Sequence, residues 1–207
     1  HLLSRRQRQM CIRDRNNDLI RTSIDKPAYK EKLRLRSYGV PEFNDIVFLE
    51  IKKKYNGIVN KRRTLLKLNQ AYDFLFDGIM PSEGDYLNAQ VLKELKFFME
   101  FYNPVAKLFL AYDRVAMFGK DDENLRITAD RNIRTRRDDL RLEDGDYGDK
   151  LLQDGQVLIE IKTASSFPVW LVDILTELDM KGTSFSKYGT EYRQFMDNTL
   201  QKRGAIC

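Results

Sequence analysis

Histidine is almost missing from this chain: His1 is the only one in 207 residues. That excludes a Ser-His-Asp triad, an HExxH zinc helix and a Cys/His metal cluster. Acid–base chemistry, where there is any, must come from Asp, Glu, Lys or Tyr. Cysteine is nearly as scarce, with Cys11 and Cys207 near opposite ends. Two such residues form no disulfide framework and suit a reducing, cytoplasmic compartment. Long apolar runs are also lacking. Nothing approaches the roughly 18 residues of a membrane span, and the longest candidate, "FPVWLVDIL", is short and interrupted. No apolar stretch of the signal-peptide kind follows the basic start.

A true excess of positive charge is missing too. The formal net charge is +5, but residues 1–15 hold five Arg against one Asp, which leaves only +1 for residues 16–207. The stretch "HLLSRRQRQMCIRDR" has no usable periodicity and resembles a translated sequencing adaptor. Residues 1–15 therefore read as a non-native or disordered basic tail, and residues 16–207 as one domain. The near balance in that domain argues against a nucleic-acid partner, and its aromatics mostly fit helical stripes or apolar positions.

What the sequence does have is a repeated strand pattern. In "EKLRLRSYG", Lys32, Arg34 and Arg36 alternate with Leu33 and Leu35. In "DIVFLEIKKK", Phe48, Glu50, Lys52 and Lys54 oppose Val47, Leu49 and Ile51. "FLAYDRVAMF" sets Tyr112, Arg114 and Ala116 against Ala111, Asp113, Val115 and Met117. "LRITAD" sets Arg126, Thr128 and Asp130 against Leu125, Ile127 and Ala129. "VLIEIKT" sets Leu158, Glu160 and Lys162 against Val157, Ile159 and Ile161. Period two gives each strand one apolar and one mostly charged face. "YNG" at Tyr55 to Gly57 signals a tight hairpin between "FLEIKKK" and "IVNKRR".

Helical stripes lie between the strands. "TLLKLNQAYDFLF" aligns Leu65, Leu68, Tyr72 and Leu75, and "NAQVLKELKFFMEFY" aligns Leu92, Leu95, Phe98, Met99 and Tyr102. "FPVWLVDILTELD" opens near Pro168 and carries Trp170, Leu171, Ile174, Leu175 and Leu178. "TEYRQFMDNTL" carries Tyr192, Phe195 and Met196. "RRDDLRLEDGDYGDKLLQDG" reads as a loop or loose hairpin, and its "DGDYGD" fails calcium-loop spacing at Gly148 and Gly155.

The charged faces allow two readings. An open sheet with helices on its apolar side would leave them in water. A barrel closed around them would enclose a cationic lumen for an extended polyanion, with Arg34, Arg36, Lys52, Lys54, Arg114, Arg126 and Lys162 facing in. Arg is the planar fork that suits phosphate, with Lys as a point charge. Glu50 and Glu160 would be the lumen's main acids. Each sits two residues before a Lys, which fits either a weak ion pair or a hard-metal site beside phosphate oxygens.

Taken in order, "EKLRLRSYG", "FLEIKKKYNGIVNKRR", "AYDRVAMF", "LRITAD", "VLIEIKT" and "SFSKYGTEY" resemble the successive motifs of the VTC domain. That is the polyphosphate-polymerase domain of vacuolar transporter chaperone proteins and their bacterial relatives, similar to the CYTH or triphosphate tunnel metalloenzyme superfamily. The resemblance covers roughly residues 16–200. It implies an α+β fold: an antiparallel β-barrel tunnel with flanking helices, here incomplete at the N-terminus because the tail stands where the first strands belong. It implies transfer of the ATP γ-phosphate onto a polyphosphate chain, with Mn²⁺ or Mg²⁺ as cofactor. By likeness, Arg114, Arg126 and Lys52 are catalytic. By the same likeness Arg34, Arg36, Tyr112, Lys162, Ser186 and Lys187 bind phosphate and Glu160 binds metal; the strand pattern by itself adds Lys54 as a phosphate-binding residue and Glu50 as a metal ligand. The implied partners are ATP and polyphosphate, with membrane-associated proteins as further partners of a chain that has no span of its own. The activity belongs to the complete parent protein. A metal-dependent triphosphate or nucleotide hydrolase of the same fold stays open, as does a non-catalytic module for polyphosphate or inositol phosphates.

Overall fold

The computed structural model describes residues 2–25, 27–81, 84 and 87–204, with side chains described between residues 7 and 201. His1 and Cys207 lie outside the described residues. Eight strands form one antiparallel sheet: β1 (Leu2–Asp14), β2 (Tyr29–Ser37), β3 (Ile46–Tyr55), β4 (Ile58–Lys67), β5 (Val105–Phe118), β6 (Arg126–Arg136), β7 (Asp149–Lys150) and β8 (Leu158–Lys162). The order is β4-β3-β2-β1-β5-β6, with β7 and β8 both pairing with β6. This is the expected α+β architecture. The sheet is open: among the described residues no pairing joins β4 to β8, so the barrel is not closed by hydrogen bonds.

Residues 2–14, expected to be a tail outside the fold, form its central strand. β1 pairs with β2 from Gln9↔Ser37 to Arg13↔Leu33, and with β5 from Leu2↔Met117 to Asp14↔Val105. Its alternation was hidden because its buried side includes polar residues. Gln9 and Arg13 are buried beside Cys11, and Arg13 donates through Nη2 to the Leu75 carbonyl at 3.1 Å.

The β3–β4 hairpin closes through Asn56 and Gly57, at φ 43° and 89°. Both residues sit in the left-handed region that the tight turn needs. β4 then runs further than expected, through Leu65 to Lys67. Residue 65 is therefore on a strand, and α2 (Leu68–Tyr72) begins after it and passes into a π-helical turn at Asp73–Asp77. Strand pairing of 64–67 with β3 overrides the helical spacing of the leucines. Helix α3 (Ala89–Tyr102) is capped by Asn88, whose Oδ1 accepts from the Val91 N–H.

One core lies behind the sheet. There Leu33, Leu35, Val47, Leu49, Ile51 and Leu66 meet Leu68, Phe74 and Leu75, and Leu92, Leu95 and Phe98 of α3. A second lies on the opposite face, where Met10, Leu108, Leu110, Tyr112 and Ile133 meet Ile20 of α1 (Asp18–Ile24) and Tyr188 and Tyr192 of α5 (Lys187–Gly204). Asp14 ties this second layer together. Its carboxylate accepts from the Leu19 and Ile20 N–H groups at 2.9 and 3.0 Å, and from the Tyr188 hydroxyl at 3.0 Å. Helix α4 (Val169–Glu177) departs from expectation: it buries only Leu171, and Trp170, Ile174 and Leu178 stay exposed. Among the described residues, no helix is long and apolar enough to cross a membrane.

Candidate functional site

The alternating faces decide where the charges go. The leucine and isoleucine sides of β2 and β3 are fixed against α2 and α3, so period two turns Lys32, Arg34, Arg36, Glu50 and Lys52 to the other side of the sheet. The same argument turns Tyr112, Arg114, Arg126 and Thr128 there from β5 and β6, and Glu160 and Lys162 from β8. The sheet curves, so the two halves face one cavity of about 620 Å³. Lys61, Arg62 and Arg63 of β4 and Arg8 of β1 also line it, and α5 brings Ser186, Lys187 and Tyr188. Twelve Lys and Arg side chains thus border one space. Among the described residues the carboxylates on its wall are Glu50 and Glu160.

Register arranges these groups in rows. Lys61, Lys52 and Lys32 lie directly opposite one another on β4, β3 and β2. Like charges at facing positions destabilise a sheet, and among the described residues this row has no ion pair. Burial and the surrounding cations lower both Lys52 and Lys32, the latter to about 8. The next row is Arg63, Glu50 and Arg34. Here Glu50 is consumed: Oε2 accepts from Arg34 Nε at 2.5 Å and Oε1 from Arg36 Nη2 at 2.8 Å.

The opposite wall repeats the device. Arg114 faces Asp130 across β5 and β6 and donates to both carboxylate oxygens, at 2.6 and 2.7 Å. Lys187, the first residue of α5, adds a third bond to Asp130 at 2.6 Å. Both Arg114 and Lys187 also lie over the Tyr112 ring, at 5.1 and 4.5 Å. Glu160 is 47% exposed. Its Oε1 is 2.9 Å from Lys162 and its Oε2 4.0 Å from Arg114. Burial opposes its ionisation, but Lys162 and Arg114 outweigh that and hold it below the usual glutamate range. Arg126 packs on Phe118 at 5.2 Å, and its buried Nε, like the neighbouring Thr128 hydroxyl, has no hydrogen-bond partner among the described residues. Buried polar groups are normally satisfied, and Arg8 Nε and Arg36 Nε on the same wall are likewise without a hydrogen-bond partner among the described residues.

Of the residues singled out from sequence, Arg34, Arg36, Glu50, Lys52, Tyr112, Arg114, Arg126, Glu160, Lys162, Ser186 and Lys187 are brought together on this one wall. Lys54 is not among them. It lines an adjoining cavity of about 340 Å³ with Lys30 and Arg193, which shares Lys32, Lys52 and Ser186 with the first. Sequence reasoning missed Lys61 and Arg63, whose alternation in "IVNKRR" was legible once the hairpin was placed. It also missed Asp130 as a partner of Arg114.

The acids set what cation could bind. Among the described residues no three His, Cys, Asp or Glu side chains gather into a metal-ligating group. Glu50 is 12% exposed and held by two guanidinium groups at 2.5 and 2.8 Å, whereas Glu160 is 47% exposed with one close partner, Lys162, so Glu160 is the carboxylate with room for a cation. One carboxylate fits a hard ion such as Mg²⁺ or Mn²⁺ that takes its remaining ligands from phosphate oxygens and water. It does not fit a closed soft-metal cage.

Comparison with known proteins agrees with this geometry. The model of the VTC domain matches residues 14–196, and the chain belongs to that family. No curated protein matches it in sequence. Among solved structures it is similar to a candidate adenylate cyclase from Bacillus halodurans. The TM-score is 0.50 at 11% identity, and the match covers 88% of this chain and 79% of that one. At that identity the likeness speaks for the fold.

Proposed function

We propose that this chain is a polyphosphate polymerase-type phosphotransferase that moves the γ-phosphate of ATP onto a polyphosphate chain. One observation carries the reading: cations from β2, β3, β4, β5, β6, β8 and α5 converge on one cavity whose two wall carboxylates are both already ion-paired. Such a surplus needs a ligand with several negative charges, and the family match supports a polyphosphate chemistry for it. The catalytic, phosphate-binding and metal roles proposed here all fall within residues 14–196, the matched stretch.

Phosphoryl transfer rests on positioning and charge neutralisation. A terminal oxygen of the acceptor polyphosphate bonds to the γ-phosphorus, the bond to the β–γ bridging oxygen breaks, and ADP leaves with the electron pair. No side-chain nucleophile is required. Arg34, Arg36 and Lys52 hold one end of the phosphate run, and Arg114, Arg126 and Lys187 hold the transferring group. The free Arg126 Nε and Thr128 hydroxyl supply donors where charge grows. Tyr112 supports Arg114 and Lys187 from beneath, and Ser186 adds a hydroxyl at the α5 end. Glu160 would hold Mn²⁺ or Mg²⁺, which when bound would screen the phosphate charges. The lysines at 32, 52 and 54 continue the cationic path into the adjoining cavity.

The purified protein, given ATP and Mn²⁺, is expected to make long-chain polyphosphate, resolved on a gel. Arg126→Ala and Glu160→Ala should each lower synthesis at least about 100-fold, the scale for removing one electrostatic stabiliser. Full synthesis in both variants refutes the assignment. The half-exposed Glu160 favours a second reading, a hydrolase in which water replaces the acceptor. Free phosphate without polymer decides for it. Tight tripolyphosphate binding without turnover, unaffected by Glu160→Ala, decides for a binding module.

A further inference from the structure

Asp130 is the most enclosed carboxylate at the site, with a side chain only 1% exposed. It is absent from the cavity wall, yet it contacts two residues that are on it. Its three hydrogen bonds come from different elements: two from Arg114 on β5 and one from Lys187 at the start of α5. A buried charge pays a large desolvation cost unless it is fully bonded. Here burial would raise the carboxyl's pKa, and Arg114 and Lys187 overcome that and lower it. Asp130 is thus ionised and held by two cations, and at 1% exposure behind the wall it does not face a ligand in the cavity. The two cations keep their remaining protons for the cavity.

We propose that Asp130 is a positioning residue that fixes Arg114 and Lys187 at one separation facing the cavity without itself touching phosphate. The inference rests on the phosphotransferase reading above. It assigns the spacing of two phosphate-facing cations to a carboxylate behind the wall, 57 residues from one of them in sequence. Glu50 does the same for Arg34 and Arg36 but lines the cavity itself, so only Asp130 separates positioning from ligand contact.

The test uses Asp130→Asn, which keeps the shape and removes the charge, and Asp130→Glu, which keeps the charge and displaces it by one methylene. Three readouts apply: turnover, tripolyphosphate affinity, and the pH at which that affinity is lost. In Asp130→Asn turnover should fall about 100-fold, the cost of misplacing a group by about 1 Å. Tripolyphosphate affinity should hold or rise, because the site gains net positive charge. The alkaline loss of binding should begin at a lower pH than in the wild type. Burial already lowers Lys187, Asp130 counters this, and Arg114 and Glu160 act on it with opposite signs beside the Tyr112 ring. Asp130→Glu should keep the wild-type pH limb and still lose turnover.

Wild-type turnover in either variant overturns the proposal. So does a joint loss of turnover and tripolyphosphate binding in both, which a purely structural ion triad would give. Should the wild type neither polymerise nor hydrolyse, the phosphotransferase reading fails by itself. The affinity and pH-limb results still decide whether Asp130 sets the charge and spacing of Arg114 and Lys187.

Discussion

Lys32 carries a charge that the free fold would rather not have. It sits opposite Lys52 in the lysine row, and burial, Lys30, Lys52 and Arg34 lower it against the weaker pull of Asp14, from 10.5 to about 8. The unfolded chain therefore binds more protons between pH 8 and 10.5, and through this residue the free fold gains stability as pH rises across that window. A bound polyanion reverses the balance by favouring the ammonium. Tripolyphosphate binding near pH 8 should take up protons, and its affinity should fall with rising pH by up to about tenfold per unit. Titration calorimetry in two buffers of different ionisation enthalpy measures the uptake. Lys32→Met should remove most of it, and an unchanged uptake in that variant would count against the lysine row as the binding surface. Lys32, Arg34 and Arg36 were legible in sequence because leucines alternate with them and point the other way. Asp130 was not. Within "LRITAD" it is one more charged residue in the pattern, and its meaning comes only from register with Arg114 and the arrival of Lys187.

At the scale of elements, strand pairing hid what periodicity could not show. β2, β3, β5, β6 and α3 were legible from one-sided apolar faces. β1 was not, because Gln9 and Arg13 share its buried side with Cys11. The apolar stripe read for α4 is a property of the sequence that the described residues do not bury, apart from Leu171. β1 nevertheless holds the sheet together. It is the strand that pairs with both β2 and β5, so without it the sheet separates into β2–β4 and β5–β8, each with a bare edge. Unpaired edges recruit other chains. Deleting residues 1–13 should abolish the single cooperative urea transition and shift the protein to aggregates in size-exclusion chromatography. A monomer with an unchanged midpoint would show that the two halves associate without β1.

For the whole molecule, the site and the stability of the fold are in tension. The core behind the sheet fixes which faces turn inward, and those faces crowd cations that repel one another across 620 Å³. Glu50 and Asp130 relieve part of this by clamping two cations each, whereas among the described residues the row Lys61, Lys52 and Lys32 has no ion pair, only the more distant pull of Asp14 on Lys32. A polyanion that occupies the cavity supplies what is missing, and it binds the folded chain because only folding assembles the rows. By linkage, tripolyphosphate at 100 times its Kd should add about 2.7 kcal/mol. For a chain of this size that raises Tm by roughly 5–10 °C. Sodium chloride at matched ionic strength should give only part of the rise, since it screens the exposed Lys52 and Lys61 but does not bridge the rows as a bound polyanion does. The substitution Lys52→Met removes the middle of the row. It should raise the Tm of the free protein and shrink the tripolyphosphate increment together. Differential scanning fluorimetry reads both. A variant that gains no stability, or keeps the full increment, would mean that the lysine row neither costs the fold nor grips the ligand.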